Sequence, residues 1–259
     1  MVNAHTDRPE PGSSQALDRF AALMSALADS AGPLAAPALA ERVGLPASST
    51  YRLVQALEHQ GLVERRQRGE LSLGLRILEY ARNIEERVER TLLEPARPVM
   101  LRLAEEHRET VLLTARAANC SIGLGSVESP RPVRLSYERW RMTPMHLGAS
   151  GKILLAHLDP VAAERVISAI AGPDPTVDPR RLRRELAAIR HRGYVITHSE
   201  LDEGAGAVAA PILDRRGRLI AGLTIAGPSA RIHEADTVLT EGVVAGALSI
   251  GAALQRRRG

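Results

Sequence analysis

The chain has 259 residues, of which 44% are hydrophobic and 25% are charged. This length fits two compact domains, and the composition is that of an ordinary soluble protein. No apolar run in it reaches the roughly 20 residues of a membrane-spanning helix, and residues 1–15 lack the apolar stretch of a signal peptide. The single cysteine, Cys120, excludes an intramolecular disulfide. We therefore expect a cytoplasmic protein with no membrane partner.

The net charge of +4 is compatible with nucleic-acid binding but does not require it. Between Leu17 and Tyr80, seven arginines are balanced by seven aspartates and glutamates. Any DNA contact in this region must therefore depend on a few well-placed arginines.

The N-terminal region is predicted to contain an arm, three helices and a hairpin. Residues 1–14 are polar and carry two prolines and a glycine, which predicts a disordered arm. Apolar residues recur at helical spacing from about 16 to 30, and a short second helix is predicted at residues 37–43. A third helix, capped by Ser48 or Ser49, runs to about Gln60. Residues 62–65 and 70–73 then alternate in polarity around Gln67-Arg68-Gly69, which predicts a β-hairpin.

A helical pattern continues from residue 75 to about 107, with interruptions near Pro95 and Pro98. Residues 81–90 are almost all charged, as in a solvated linker helix. After Glu109 the pattern predicts strands at 111–115, 121–127, 133–136, 194–198, 207–213 and 219–226, and helices at 150–158, 161–170, 179–191 and 234–254. Strands and helices mixed without strict alternation indicate an α+β domain with a largely antiparallel sheet.

Residues 37–57 carry the strongest local signal, because two helices are joined there by the tight turn Gly44-Leu45-Pro46. In a helix-turn-helix, the start of the second helix enters the major groove of DNA. The basic hairpin that follows is placed like a wing on the DNA backbone or minor groove. An αα-hairpin that binds nothing is the alternative for the two helices alone, but the order helix, turn, helix and basic hairpin favours DNA binding. The candidate DNA-contacting residues are Ser48, Ser49, Thr50, Tyr51, Arg52, Arg65, Arg66 and Arg68.

Residues 15–80 resemble the winged helix-turn-helix of IclR-type transcriptional regulators. The second half resembles the effector domain of that family, at residues 146–156, at Gly193-Tyr194, and at Glu200, Gly206, Ala209-Ala210-Pro211-Ile212 and Gly227-Pro228. The resemblance implies a GAF-like effector domain and a homodimer, usually paired into a dimer of dimers, on a roughly palindromic double-stranded DNA operator. Most relatives repress transcription and some activate it. The predicted organisation is an arm at 1–14, a winged helix-turn-helix domain at 15–76, a linker helix at 77–90 and an effector-binding domain at 91–259.

The resemblance also implies an effector site, because family members bind small organic acids or aromatic compounds in a cup on the sheet. Backbone N–H groups at a helix start suit a carboxylate. Most matching positions carry alanine, and an apolar cup does not satisfy a small, highly polar acid, so we expect an aromatic or otherwise larger apolar acid. Small residues that merely pack a sheet are the alternative interpretation. The residues implied are Gly148 and Ala149 for the carboxylate, Thr197, Ala205, Ala207, Thr224 and Ala226 for the lining, and Leu135 for closure.

Enzyme motifs are incomplete, and no cofactor or metal site is predicted. The sequence Gly148-Ala149-Ser150-Gly151-Lys152 lacks the flanking residues of a phosphate-binding loop. Gly204-Ala205-Gly206 leads into a predicted strand, whereas a dinucleotide fingerprint leads into a helix. The polar cluster of His198, Glu200, Asp202 and Glu203 is interpreted as a solvated loop. The alternative function is a small-molecule-binding enzyme with an N-terminal helical partner-binding domain, which turnover of a ligand would reveal.

Overall fold

The computed structural model describes residues 15–256, so the predicted arm at 1–14 lies outside the described residues. The chain divides into two compact units, with the division between Arg87 and Val88. Each unit has its own buried core.

The N-terminal unit contains three helices and a hairpin. Helix α1 spans Gln15–Ala28, α2 spans Ala36–Arg42 and α3 spans Ala47–His59. Strands β1 (Val63–Arg65) and β2 (Leu71–Leu73) pair antiparallel across a 3-10 turn at Gln67–Gly69. Leu34 adds a bridge to Leu71 on the other side of β2. The apolar faces meet in a core whose fully buried members include Leu23, Leu39, Val54 and Leu71.

The chain from Arg76 to His107 is helical throughout. Helix α4 (Arg76–Val88) leads through a π turn at Glu89–Leu93 into α5 (Glu94–His107). The predicted interruptions near Pro95 and Pro98 are therefore wrong, because both prolines lie within α5 and the irregularity is the π turn before them. A π turn absorbs a local misfit in a helix without ending it.

A six-stranded antiparallel sheet forms the centre of the C-terminal unit, in the order β5-β4-β3-β8-β7-β6. The strands are β3 (Thr110–Ala117), β4 (Cys120–Val127), β5 (Met142–Pro144), β6 (Val195–His198), β7 (Ala205–Leu213) and β8 (Leu219–Pro228).

The predicted strand at residues 133–136 is wrong, and β5 takes the sheet edge in its place. Side chains, not a neighbouring strand, bind the backbone of this segment. Thr110 Oγ1 donates to the Leu135 carbonyl at 2.6 Å, and Arg231 donates to the Val133 carbonyl at 3.0 Å. Pro132, which has no N–H, further disfavours a ladder there.

Helices cover both faces of the sheet. Helices α6 (Gly148–His157), α7 (Pro160–Ala171) and α8 (Pro179–Arg192) enclose one core. Helices α5, α9 (Ser229–Glu234) and α10 (Asp236–Arg256) enclose the other, so the single helix predicted at 234–254 is preceded by a separate short one. By length and composition alone α10 could cross a membrane, but its buried residues, among them Leu239, Val243 and Ile250, belong to the core.

Candidate nucleic-acid interface and ligand pocket

The turn between α2 and α3 is closed by backbone hydrogen bonds. The N–H of Gly44 donates to the Glu41 carbonyl at 3.1 Å, and that of Leu45 donates to the Ala40 carbonyl at 3.0 Å. Gly44 has a φ of 64°, the left-handed region in which glycine is not strained. Pro46, and neither Ser48 nor Ser49, is the residue before the first turn of α3, and no side chain caps that helix.

One face of α3 is polar and exposed. Ser48, Tyr51 and Arg52 lie on it, and Gln55 and His59 extend it at helical spacing. Gln55 Nε2 donates to Tyr51 Oη at 3.3 Å. The sequence interpretation stopped at Arg52 and missed the last two residues, although their i+3 and i+4 spacing is visible in the sequence.

Two of the candidates on α3 are less accessible than expected. Thr50 is only 1% exposed, and its hydroxyl donates to the Pro46 carbonyl at 3.2 Å, so we withdraw it as a DNA contact. Ser49 is half-buried. Arg52 is exposed and makes no hydrogen bond or ion pair within residues 15–256, so its guanidinium is available to a ligand outside the chain.

The three wing arginines have different environments. Arg65 forms a two-point ion pair with Glu58 of α3, Nε–Oε1 at 3.0 Å and Nη2–Oε2 at 3.1 Å. Arg66 donates to Ser72 Oγ at 3.1 Å and lies 3.5 Å from a Glu64 oxygen. Arg68, at the tip, has no such partner among the described residues. Arg65 therefore holds the wing against α3, while Arg68 is free to contact a phosphate.

An open pocket lies on the α6 face of the sheet in the C-terminal unit. Its walls come from the sheet, the first turn of α6, the segment 137–143 and the β6–β7 loop at residues 199–204. Five of the eight predicted effector residues line it: Gly148, Ala149, Thr197, Ala205 and Ala207.

The other three do not line the pocket. Thr224 and Ala226 are fully buried, and Thr224 shares a 2.9 Å hydrogen bond with Ser150 Oγ, so it supports the pocket floor from below. Leu135 lies in the segment bound to Thr110 by its backbone carbonyl. Thr224 is therefore covered by α6, while the segment around Leu135 is bound to Thr110, the residue paired with Ala226 in the sheet.

The pocket is more polar than its alanines predict. The hydroxyls of Ser121 and Thr143, 2.7 Å apart, lie on its wall. Tyr137 also lines it, and burial raises the pKa of that phenol to about 12, with a smaller contribution from the charge of Asp202. The guanidinium of Arg141 lies 3.9 Å from Asp202. Sequence reasoning missed Ser121, Tyr137, Arg141 and Thr143 because they come from segments between the family's matching blocks.

The first turn of α6 already holds a carboxylate. Glu200 Oε2 accepts from the Gly148 N–H at 3.2 Å, and Glu200 Oε1 accepts from Lys152 Nζ at 2.9 Å. Lys152 is buried and also donates to Glu185 Oε1 at 2.5 Å. Glu200 is thus an exposed residue of the β6–β7 loop, as the sequence interpretation expected, but its carboxylate is bonded to the first turn of α6. Within residues 15–256, no group of three or more His, Cys, Asp or Glu side chains is placed to hold a metal ion.

A winged helix-turn-helix unit joined to an α+β unit with an open pocket defines a two-domain transcriptional regulator. The comparisons with known proteins identify the family. Residues 16–67 match the IclR helix-turn-helix domain, and residues 87–252 match the bacterial transcriptional regulator IclR C-terminal domain. The chain belongs to the IclR family of DNA-binding transcriptional regulators.

Individual relatives agree with this. The chain is 34% identical over 218 residues to the HTH-type transcriptional regulator KipR of Bacillus subtilis, covering 82% of this chain and 86% of that protein. It is 32% identical over 235 residues to the transcriptional repressor IclR of Escherichia coli, covering 87% and 84%. An IclR homologue from Microbacterium hydrocarbonoxydans, solved with 4-hydroxybenzoate, is 28% identical with a TM-score of 0.67 over 95% of this chain and 100% of that one. These similarities favour the regulator over the enzyme alternative.

Proposed function

We propose that the protein is a cytoplasmic repressor, without catalytic activity, that binds a palindromic operator and is released or modulated by a small aromatic or otherwise apolar organic acid. The observation that carries this proposal is the combination, in one chain, of an exposed polar α3 face beside an unpaired wing arginine with a separate open pocket.

The proposed DNA contacts follow from geometry and charge. The exposed face of α3 supplies Arg52, which suits a guanine edge or a phosphate, and Gln55, whose amide suits adenine. Ser48, Ser49 and Tyr51 are placed for phosphate or base-edge hydrogen bonds. Arg66 and Arg68 reach the backbone from the wing, and Arg65 keeps the wing in position through Glu58.

A homodimer is supported by helix α4, which has no buried residue. Tyr80 and Ile84 are 47% and 49% exposed and lie on one apolar stripe with Ile77. Pairing two such stripes about a two-fold axis would bury them and present two α3 helices to the two halves of a palindrome. A further pairing of dimers would give the tetramer that the family resemblance implies.

The pocket supports an aromatic acid with a polar substituent. Ala205 and Ala207 leave room for a flat apolar body, and the first turn of α6 suits a carboxylate. The hydroxyls of Ser121, Tyr137 and Thr143 lie on the wall, where a ring hydroxyl would find a partner. The related regulator solved with 4-hydroxybenzoate agrees with this ligand class.

The experiment that tests the function has two steps. Operator sequences are first selected from random DNA with the full chain, and binding is measured by fluorescence anisotropy at fixed salt. Aromatic and aliphatic acids are then screened by thermal shift, because a ligand that binds only the folded state raises its stability. Selected sequences without two-fold symmetry, or acids that stabilise the protein without changing operator affinity, would contradict the proposal. Consumption of a bound acid would favour the enzyme alternative.

A further inference from the structure

The pocket contains an anion of its own. The Glu200 carboxylate is held by the Gly148 N–H at 3.2 Å and by Lys152 Nζ at 2.8–2.9 Å. Gly148 is the residue whose backbone N–H we assign to the effector carboxylate. The Leu201 side chain lies directly over Gly148, so the β6–β7 loop closes this end of the pocket.

Two carboxylates cannot occupy this position together. Three acidic residues, Glu138, Glu200 and Asp202, line the pocket, while Arg141 is the cation that lines it within the described residues. An incoming carboxylate at the Gly148 N–H would meet the Glu200 charge at hydrogen-bond distance, where two like charges repel each other. An acid must therefore displace Glu200 to bind there.

Glu200 can move away without leaving the buried ammonium of Lys152 unpaired. Lys152 would keep its 2.5 Å contact with Glu185 of α8, so the buried ammonium would remain paired with one carboxylate. The Lys152, Glu185 and Glu200 group carries one negative charge in excess, and the departure of Glu200 removes that excess. Glu200 also lies on a loop and not within a strand or helix, between Ser199 and Gly204 with φ values of 53° and 75°.

We propose that Glu200 is a built-in competitor for the anionic group of the effector and that it sets the pocket's affinity for acids relative to neutral ligands. The inference rests on the proposed function, because it assumes that the pocket is the effector site. Occupation by an acid then moves Glu200 and Leu201 away from α6, whereas a neutral ligand of the same shape leaves them in place. Glu200 is thus a specificity-determining residue whose displacement reports that an acid is bound.

The test compares matched acid and amide ligands on the full chain. Calorimetry measures the affinities of benzoate and benzamide, and of 4-hydroxybenzoate and 4-hydroxybenzamide. Each ligand is titrated into the unaltered protein, Glu200→Gln and Glu185→Gln. We expect Glu200→Gln to bind the acids about tenfold more tightly, equivalent to ~1.4 kcal/mol, and the amides within about twofold of the original affinity. Glu185→Gln removes the same charge from Lys152 but leaves Glu200 on Gly148, so its acid affinity should change by less than about threefold. Glu200→Ala, which lacks any side-chain acceptor, should show the same preference for acids as Glu200→Gln.

Different outcomes would contradict the role of Glu200 and the proposed effector class. Weaker acid binding in Glu200→Gln, or equal gains for acid and amide, would overturn the inference while leaving an acid effector in place. If no aromatic acid binds any variant, the proposed effector class is wrong. In that case, the thermal shifts produced by acetate and by acetamide are compared at matched ionic strength. This comparison still tests whether Glu200 competes with an acid. A larger acetate response in Glu200→Gln than in the unaltered protein supports the competitor, and an unchanged response overturns it.

Discussion

Glu58 of α3 and Arg65 of β1 form an ion pair with two hydrogen bonds, at 3.0 and 3.1 Å. Arg65 also donates to the Gly69 carbonyl near the wing tip at 3.2 Å. The hydrogen bonds to Glu58 raise the pKa of Arg65 above its already high value, so the guanidinium stays charged at any working pH. This contact fixes the angle between the wing and the helix proposed to read DNA.

We predict that Arg65→Lys weakens operator binding several-fold although the charge is kept, because an ammonium cannot reproduce the two-point contact. The free energy of unfolding should change by less than ~1 kcal/mol, since both side chains are partly exposed. Anisotropy and urea unfolding measure the two effects. Operator affinity equal to that of the original protein would show that Arg65 acts only through its charge.

Arg52→Ala is expected to weaken specific operator binding by about 1–3 kcal/mol, as for loss of one good base or phosphate contact. The reason is its exposed, unpaired position on α3. Arg116→Ala removes the same charge from the C-terminal unit and serves as the control in the same anisotropy titration. Equal losses in both variants would mean that only net charge matters.

At the wing tip, Arg68→Asn should lower the slope of log affinity against log salt by about 0.9, the value for one lost phosphate contact. Asparagine suits this position because Arg68 has a φ of 68°, a left-handed conformation that asparagine tolerates. Arg66→Ala should have a smaller effect, since Arg66 is partly held by Ser72 and Glu64. Lost discrimination between operator and random DNA, with an unaltered slope, would show instead that Arg68 reads bases.

Local patterns predict most elements of this fold, but long-range contacts are not visible in them. The spacing of Phe20, Met24 and Leu27 predicts α1, and the Gly44-Leu45-Pro46 turn predicts the two helices beside it. The alternation at 133–136 resembles a strand, yet Thr110 and Arg231, distant in sequence, bind that backbone. The bond from Gly148 to Glu200 likewise joins residues 52 positions apart, so periodicity could not reveal that the anion position is occupied.

Acid should destabilise the C-terminal unit through His157. Burial holds the pKa of this half-buried imidazole below its usual value of 6.5, against a hydrogen bond to the Ile153 carbonyl that acts in the opposite direction. The unfolded chain therefore binds the proton more readily, so the stabilisation is complete above pH 6.5 and is lost as the pH falls towards the folded pKa. We expect His157→Gln to flatten the pH dependence of unfolding by urea between pH 8 and 5, whereas His191→Gln, on the exposed side of α8, should not. An identical profile for both variants would assign the acid sensitivity to another group.

Ala207→Leu tests the pocket itself. Ala207 lies on β7, paired in register with Thr197 of β6 and Ala226 of β8, and it lines the pocket. A leucine there would project into the cavity, so we expect loss of acid binding and of the operator response, with operator affinity in the absence of ligand unchanged. We expect unchanged affinity because the proposed DNA contacts lie in the other unit.

The matched control is Ala187→Leu on the exposed face of α8, which adds the same bulk outside the pocket and should preserve the response. Calorimetry with 4-hydroxybenzoate and anisotropy on the operator are compared in both variants. Coupling between the sites requires that the acid favour one of two states of the protein, so a variant that binds no acid must also lose the response. A response that survives in Ala207→Leu would place the effector outside this pocket. An equal loss of ligand-free DNA binding would mean that the leucine disrupts the fold of the unit, which the unfolding midpoint would show directly.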